Sequence, residues 1–425
     1  MLSAAFFTGN RNRLSSRLAP GSLAVVNSND VPATNGDGTA AFYQNTDLYY
    51  LTGVRQEESI LLLCPDATDS ALREILFLRE TTPQLEIWEG KKLTRDAATR
   101  LSGIATVKSL GEFPAVFRQL ACESENIYLN TNEHKRATVV TETRDARFVA
   151  ETRNAYPLHN YKRLAPHMHA LRVVKSKEEI ATLQSACDLT AKAFQRVLRF
   201  TRPGVNEAEI EAEFAHEFIR ARERFAYLPI VATGKNAIGL HYTENNTPCR
   251  SGELLLLDVG ATRHLYNADM TRTIPVNGRF TRRQRKIYQS VQFALRELSA
   301  QLKPGLLWKD WQKNACALLQ DELGKLDLLT PRDIRKQDPS RPACFKYFMH
   351  GIGHPLGLDV HDVGYTTQPM QAGWVMTCEP GLYIAEEGIG IRLENNLVVT
   401  DTAPVNLMQK IPLDPDEIEA LMNAA

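Results

Sequence analysis

The chain has 425 residues, 43% of them hydrophobic and 24% charged, a globular composition long enough for two or three domains at about 150 residues each. Lysine plus arginine and aspartate plus glutamate both total 50, so no global field argues for a nucleic-acid or anionic-membrane partner. No apolar stretch reaches the roughly 18 residues of a membrane span, and seven scattered cysteines without a C-x-x-C pair fit a reducing compartment, so a cytoplasmic location is expected.

The first twenty residues carry Arg11, Arg13 and Arg17 and no acid, superficially like a mitochondrial transit peptide. The preferred reading is an amphipathic helix with Leu14 and Leu18 on one face, because residues 21–27 continue directly as a strand. From residue 22 to about 158, apolar runs at 59–64, 74–78 and 126–129 alternate with helical stretches, the pattern of an α/β domain. The expected domains are 1–172 and 173–425. Ser176 and Glu179 form a capping box opening a helix that carries Ile180, Leu183, Cys187, Phe194 and Val197.

The second domain reads as a repeat. One long helix ends at Pro203-Gly204 and a second at Pro304-Gly305, and each is followed by another helix. In each half a glycine then precedes an apolar strand ending in an acid: Gly252 before Asp258 and Gly373 before Glu379, both six residues apart. A further strand brings Asp269 in one half and Glu394 in the other. Duplicated helix-helix-sheet units would set these acids on facing halves of a central sheet about a pseudo-twofold axis.

Asp258, Asp269, His354, Glu379 and Glu394 are oxygen-rich ligands with too much negative charge to share a buried pocket without cations. Asp258 and Asp269 are expected to meet across a hairpin around Gly260, where a metal would absorb the repulsion between them. Arg392 and Glu394 alternate onto one face of a predicted strand at 391–398; Arg392 would orient an acid or meet a substrate carboxylate. His350, His354 and His361 lie among Gly351, Gly353, Pro355 and Gly357, which favour loop and strand over a helical zinc motif. His241 joins them if the repeat holds. Such a set supports amide hydrolysis by a hydroxide bridging two metals, with Glu379 as proton carrier and histidines hydrogen-bonding the scissile group.

At these residues the chain resembles the pita-bread metallopeptidases, the family of methionine aminopeptidase, prolidase and aminopeptidase P. The matching strings are LHYTEN at 240–245, LDVG at 257–260, ADMTRT at 268–273, residues 350–364, TCEPGLY at 377–383 and GIRLE at 390–394. QNTDLYYLTG at 44–53 and EIWEG at 86–90 are similar to aminopeptidase P. The resemblance implies an α+β chain: a creatinase-like α/β amino-terminal domain and a pita-bread catalytic domain. It implies that Asp269 and Glu394 bridge two divalent metals, Asp258 completes one, and His354 with Glu379 completes the other. Manganese is the implied ion, with zinc and cobalt as alternatives. His241 and His361 would contact substrate, His350 and Tyr383 would line the pocket, and Trp88 would help cover a neighbouring subunit's site in a homodimer or homotetramer. The implied activity removes the first residue of a peptide with proline second; a prolidase is the alternative, and a binding protein without catalysis is a third reading.

Overall fold

The structure, a computed structural model, describes residues 2–138, 140–338, 340–364 and 366–424. Its chain divides into two units, Met1–Arg172 and Val173–Ala425.

The first unit is built on strands β1 (Ser22–Asn27), β2 (Ile60–Leu63), β3 (Glu74–Leu78), β4 (Thr106–Ser109), β5 (Asn126–Leu129) and β6 (Asn160–Arg163), ordered β4-β3-β2-β1-β5-β6. The β1–β5, β3–β4 and β5–β6 pairs are parallel, whereas β2 runs antiparallel to both neighbours. β1 and β2 are buried at every residue, which is why they read as continuous apolar runs and not as alternating ones. Leu23, Val25, Leu62 and Phe77 pack with Phe113 and Phe117 of helix Phe113–Glu123. The first helix, Ala4–Ser15, stops before Leu18, and it buries Arg11 as well as Leu14. The Arg11 guanidinium pairs with Glu74 at 3.0 Å and donates to the carbonyls of Leu51 and Ser102. That arginine is therefore a core component.

The second unit opens with the expected capping box: Ser176 accepts from the Glu179 amide and Glu179 accepts from the Ser176 amide. Helix pairs Lys177–Phe200/Glu207–Arg220 and Arg282–Ala300/Trp308–Lys325 frame the strands. In the first half these are β7 (Ile230–Thr233), β8 (Leu254–Asp258), a short ribbon of β9 (Thr262–Arg263) and β10 (Tyr266–Asn267), and β11 (Thr271–Pro275). The second half supplies β12 (Val375–Cys378), β13 (Gly381–Ile384), β14 (Ile389–Arg392), β15 (Asn395–Val398) and β16 (Val405–Asn406). Sheets β11-β8-β7 and β12-β15-β16 are accompanied by the β13–β14 pair.

The repeat is visible in backbone conformation. Gly204 and Gly305, after the long helices, have φ of 94° and 89°, and Gly252 and Gly373, before the acid-bearing strands, have 86° and 89°. Left-handed φ at all four positions needs glycine, so matched turns end matched elements. The halves meet along β11. The Glu394 amide donates to the Thr271 carbonyl at 3.0 Å, and fully buried Arg272 donates to the carbonyls of Glu394 and Pro412 and to Asn395 Oδ1. The strand predicted at 391–398 is interrupted between β14 and β15 at Leu393–Glu394, because these two amides bond outside the ladder, to Pro380 and Thr271.

Candidate metal centre

β8 ends at Asp258, opposite Thr271 at the start of β11. The β9–β10 ribbon intervenes, so the expected hairpin is a longer excursion that returns Asp269 beside Asp258. Asn396 holds Asp269 by its backbone: Asn396 Oδ1 accepts from the Asp269 amide at 3.0 Å, and Asn396 Nδ2 donates to its carbonyl at 2.6 Å. From the other half come His354, Glu379 just past β12, and Glu394 at the break after β14. Ligand atoms of Asp269, His354 and Glu394, all buried, lie within 4.8 Å of one another. Glu379 Oε1 is 3.8 Å from His354 Nε2. Asp258 stands beside this trio with both oxygens engaged, Oδ1 accepting from the Tyr227 hydroxyl at 2.6 Å and Oδ2 from Arg392 at 2.5 Å. Tyr227 also reaches Asp269 Oδ1 at 2.7 Å.

The donor chemistry fits divalent cations. The His354 Nδ1 atom lies 2.9 Å from the Pro355 carbonyl, an acceptor only, so this nitrogen carries the proton. Nε2 is left to face Asp269 Oδ2 at 3.3 Å, the orientation of a metal-ligating imidazole steadied by an outer acceptor. Four carboxylates face one guanidinium. Burial pushes the Glu379 carboxyl up to about 7, and burial together with neighbouring carboxylates holds Glu394 well above the usual carboxylate range. Burial likewise raises Asp258 against the pull of Arg392. For Asp269 burial works in the same direction, but without a cation a protonated His354 together with the Tyr227 hydroxyl and His361 outweighs it and lowers the pKa. Cations would replace the protons this cluster otherwise retains.

Arg392 is buried and does not pair with Glu394. It donates to Asp258, to Thr271 Oγ1 at 3.0 Å and to the Tyr383 hydroxyl at 2.7 Å. Tyr383 in turn lies 2.9 Å from His350 Nε2. Burial and the nearby Arg392 hold His350 down at about 3, so its imidazole is neutral. Because Nδ1 donates to the Gly351 carbonyl, Nε2 accepts the tyrosine proton. Burial keeps Tyr383 protonated by pushing it up to about 12. Arg392 thus donates on one side to Asp258 and on the other to Tyr383, which passes its own proton on to His350.

The four acids, Arg392, His350 and His354 line a cavity of about 380 Å³ together with His241, His361, Tyr227, Leu228, Ile230, Leu240, Thr243 and Val360; Tyr383, expected to line it, is not among these residues and reaches it only through Arg392 and His350. His361 packs edge-on against His354 with ring centroids 4.3 Å apart. The loop bearing His241 is held by Glu207, a fully buried carboxylate that accepts from the amides of Thr233 and Thr247, the Asn236 amide group and the Tyr242 hydroxyl. As expected, residues 350–361 form no helix, but the expected strand does not form either: the segment lies along β12 through the Pro355–Met376 bridge, with the Glu379 and Thr377 amides donating to the Ile352 and His354 carbonyls and the Leu356 amide to the Val375 carbonyl. Trp88 belongs to the other unit, on helix Pro83–Glu89, where it is 79% exposed. Tyr227, Thr271, Asn396 and Glu207 carry no sequence signal of their own; only the fold shows that they touch the acids or a histidine loop.

A model of metallopeptidase family M24 matches residues 181–401, just over half of the chain, and a model of the aminopeptidase P N-terminal domain matches residues 7–128. The chain belongs to family M24. Its curated relatives include the Xaa-Pro aminopeptidase of Escherichia coli, 35% identical with 100% of this chain and 99% of that protein covered. Xaa-Pro aminopeptidase 3 of Homo sapiens is 31% identical, covering 94% of this chain and 79% of that one. Among solved structures, zinc-substituted E. coli aminopeptidase P in complex with product aligns with a TM-score of 0.87 and 34% identity, over 99% of this chain and 98% of the other. The fold is therefore the aminopeptidase P fold, α+β with the M24 domain second. The family and the trio of ligands together make this M24 chain a divalent-metal enzyme. Among the described residues no helix is long and apolar enough to cross a membrane.

Proposed function

We propose that this metallopeptidase is a Xaa-Pro aminopeptidase that works with two divalent ions, manganese by preference, and releases the first residue of peptides whose second residue is proline. The carrying observation is the convergence of Asp269, His354 and Glu394 within 4.8 Å, with Glu379 and Asp258 alongside. Asp269 and Glu394 would bridge the ions, Asp258 would complete one, and His354 with Glu379 the other. When bound, the ions supply Lewis acidity and a water that ionises near neutral pH. A Xaa-Pro bond is a tertiary amide whose departing nitrogen must gain a proton. Glu379, a carboxylate on the cavity wall, would collect that proton from the water and return it. His241 and His361, both on the cavity wall, would hydrogen-bond the scissile carbonyl and the neighbouring amide. Neutral His350, held by Tyr383, would line the substrate pocket.

Arg392 favours the aminopeptidase over the prolidase reading. Among the described residues that line the cavity it is the single permanent cation, and its Nε, NH1 and NH2 nitrogens each donate to a protein group. The carboxylate of a dipeptide would have to compete with those contacts, whereas a longer peptide carries that charge away. Incubation of the manganese-loaded protein with Gly-Pro-Pro and, separately, Gly-Pro should give glycine from the tripeptide at the higher kcat/KM, with both rates lost to a strong chelator. Hydrolysis of Gly-Pro alone would make the protein a prolidase, and chelator-insensitive turnover would remove the metals from the mechanism.

A further inference from the structure

His354 and His361 sit at the two ends of one loop, and the loop is fastened unevenly. Its first end is tied to β12: the His354 amide donates to Thr377 Oγ1 at 3.0 Å and the Thr377 amide to the His354 carbonyl at 2.8 Å. The middle is tied to β10, where buried Asn267 donates from Nδ2 to the carbonyls of Gly357 and Leu358 and from its backbone to Gly357. The far end has another device. Asp362, next to His361, places its carboxylate 2.8 Å from the ammonium of Lys175, and both side chains are 1% exposed. Lys175 is itself immobile, since its amide donates to the Gly373 carbonyl and the next residue caps helix Lys177–Phe200.

Two features make this pair costly as a mere stabiliser. Desolvating an ammonium and a carboxylate offsets most of their attraction, and apolar replacements of buried pairs are often neutral or better. The pair also demands glycine at 357: a Cβ there would lie 2.1 Å from Asp362 Oδ2 and 3.0 Å from Lys175 Cε. What the ion pair supplies that apolar packing does not is direction. It fixes where Asp362 points and hence where the preceding imidazole stands over the cavity.

We propose that Lys175 is a positioning residue for the reaction, acting through Asp362 to set His361 against the substrate. The inference rests on the aminopeptidase reading for its kinetic consequence but not for its structural one. Glu179 lies in the same chamber, accepting from the Tyr266 hydroxyl and interacting with both charges, so Lys175→Met leaves two buried acids without their cation. Lys175→Met/Asp362→Leu removes the pair together, leaving Glu179 its hydrogen bonds from Ser176 and Tyr266, and serves as the folded control.

The test is a double-mutant cycle with Gly-Pro-Pro and the manganese-loaded enzyme. Lys175→Met should lower kcat about 10- to 100-fold, the scale of a misplaced catalytic group, with metal content unchanged. In a His361→Ala background the same change should cost less than about 2-fold; an equal loss in both backgrounds would overturn the proposal. Lys175→Met/Asp362→Leu should recover the unfolding midpoint and leave kcat low, and recovery of kcat would also count against it. Independently of turnover, the His361 ring resonance of chelator-treated protein labelled with carbon-13 histidine, identified by its loss in His361→Ala, should shift in the Lys175→Met/Asp362→Leu variant. An unmoved resonance refutes the positioning role. Absence of wild-type turnover refutes instead the aminopeptidase reading, and the ring resonance still decides the role of Lys175.

Discussion

Glu379 meets two requirements with one carboxylate. It lies 3.8 Å from His354 Nε2, close enough to share a cation with it, and it lines the cavity in which the attacking water would sit. Glu379→Gln keeps the volume and one oxygen but ends proton transfer, so kcat on Gly-Pro-Pro should fall at least about 10³-fold, within the usual range for a lost general acid-base group combined with weakened metal binding. Full activity of that variant would take Glu379 out of the proton path. The same carboxylate sets a pH dependence. A carboxyl raised from 4.5 to about 7 by burial stabilises the fold in its protonated form. That contribution is complete below about 4.5 and disappears as pH rises through 7. Divalent ions bind the ionised form, so the rise in unfolding midpoint on adding Mn2+ to chelator-stripped protein should grow between pH 5 and pH 8. A gain in midpoint that is the same at both pH values would contradict the metal-for-proton exchange.

At the scale of elements, the join between the two halves rests on Arg272, whose guanidinium is fully buried and donates to Pro412, Thr271 and Glu394 carbonyls and to Asn395. Arg272→Leu fills similar space but leaves several buried acceptors unpaired, at about 1–3 kcal/mol for each that cannot rearrange. We expect a lower denaturant midpoint and weaker metal binding, since the Glu394 backbone is one of its targets; unchanged stability would mean that water satisfies those carbonyls. Arg272 also shows where sequence reading stops. It sits in the ADMTRT string at 268–273, yet nothing in its type or spacing distinguishes it from a solvent-facing strand cation, and Arg11 in the first helix was equally opaque. Their partners lie far along the chain, so burial becomes visible only once the strands are in register. The central strands β1, β2, β3, β5 and β8 were legible, because burial on both faces writes an uninterrupted apolar run, whereas β4 and the exposed β6 have none; the turn glycines were legible too, because left-handed backbone leaves few alternatives. The acids were legible as an excess of charge beside apolar runs. Tyr227 and Asn396, which hold two of those acids, were not, since a tyrosine and an asparagine belong equally well in any strand-rich protein.

At the scale of the whole molecule, helix Pro83–Glu89 is the part of the first unit least explained by the chain alone. It has seven residues, none of them buried, and exposes Ile87 and Trp88 at 80% and 79%. A helix of that length is not stable in water by itself, and two large apolar side chains on it would each gain about 1.5–3 kcal/mol from burial. A second copy of the chain is the partner we propose, consistent with the homodimer or homotetramer expected of a chain with this amino-terminal domain. Light scattering should then give a mass at least twice that of the monomer. Ile87→Ser combined with Trp88→Ser should shift the mass toward the monomer, raise KM for Gly-Pro-Pro about 10-fold if Trp88 helps cover a neighbouring cavity, and leave metal content intact, since the ligands all belong to the other unit. A wild-type protein that scatters as a monomer would leave the exposed tryptophan without this role, and an oligomer that survives both substitutions would place the contact elsewhere on the surface.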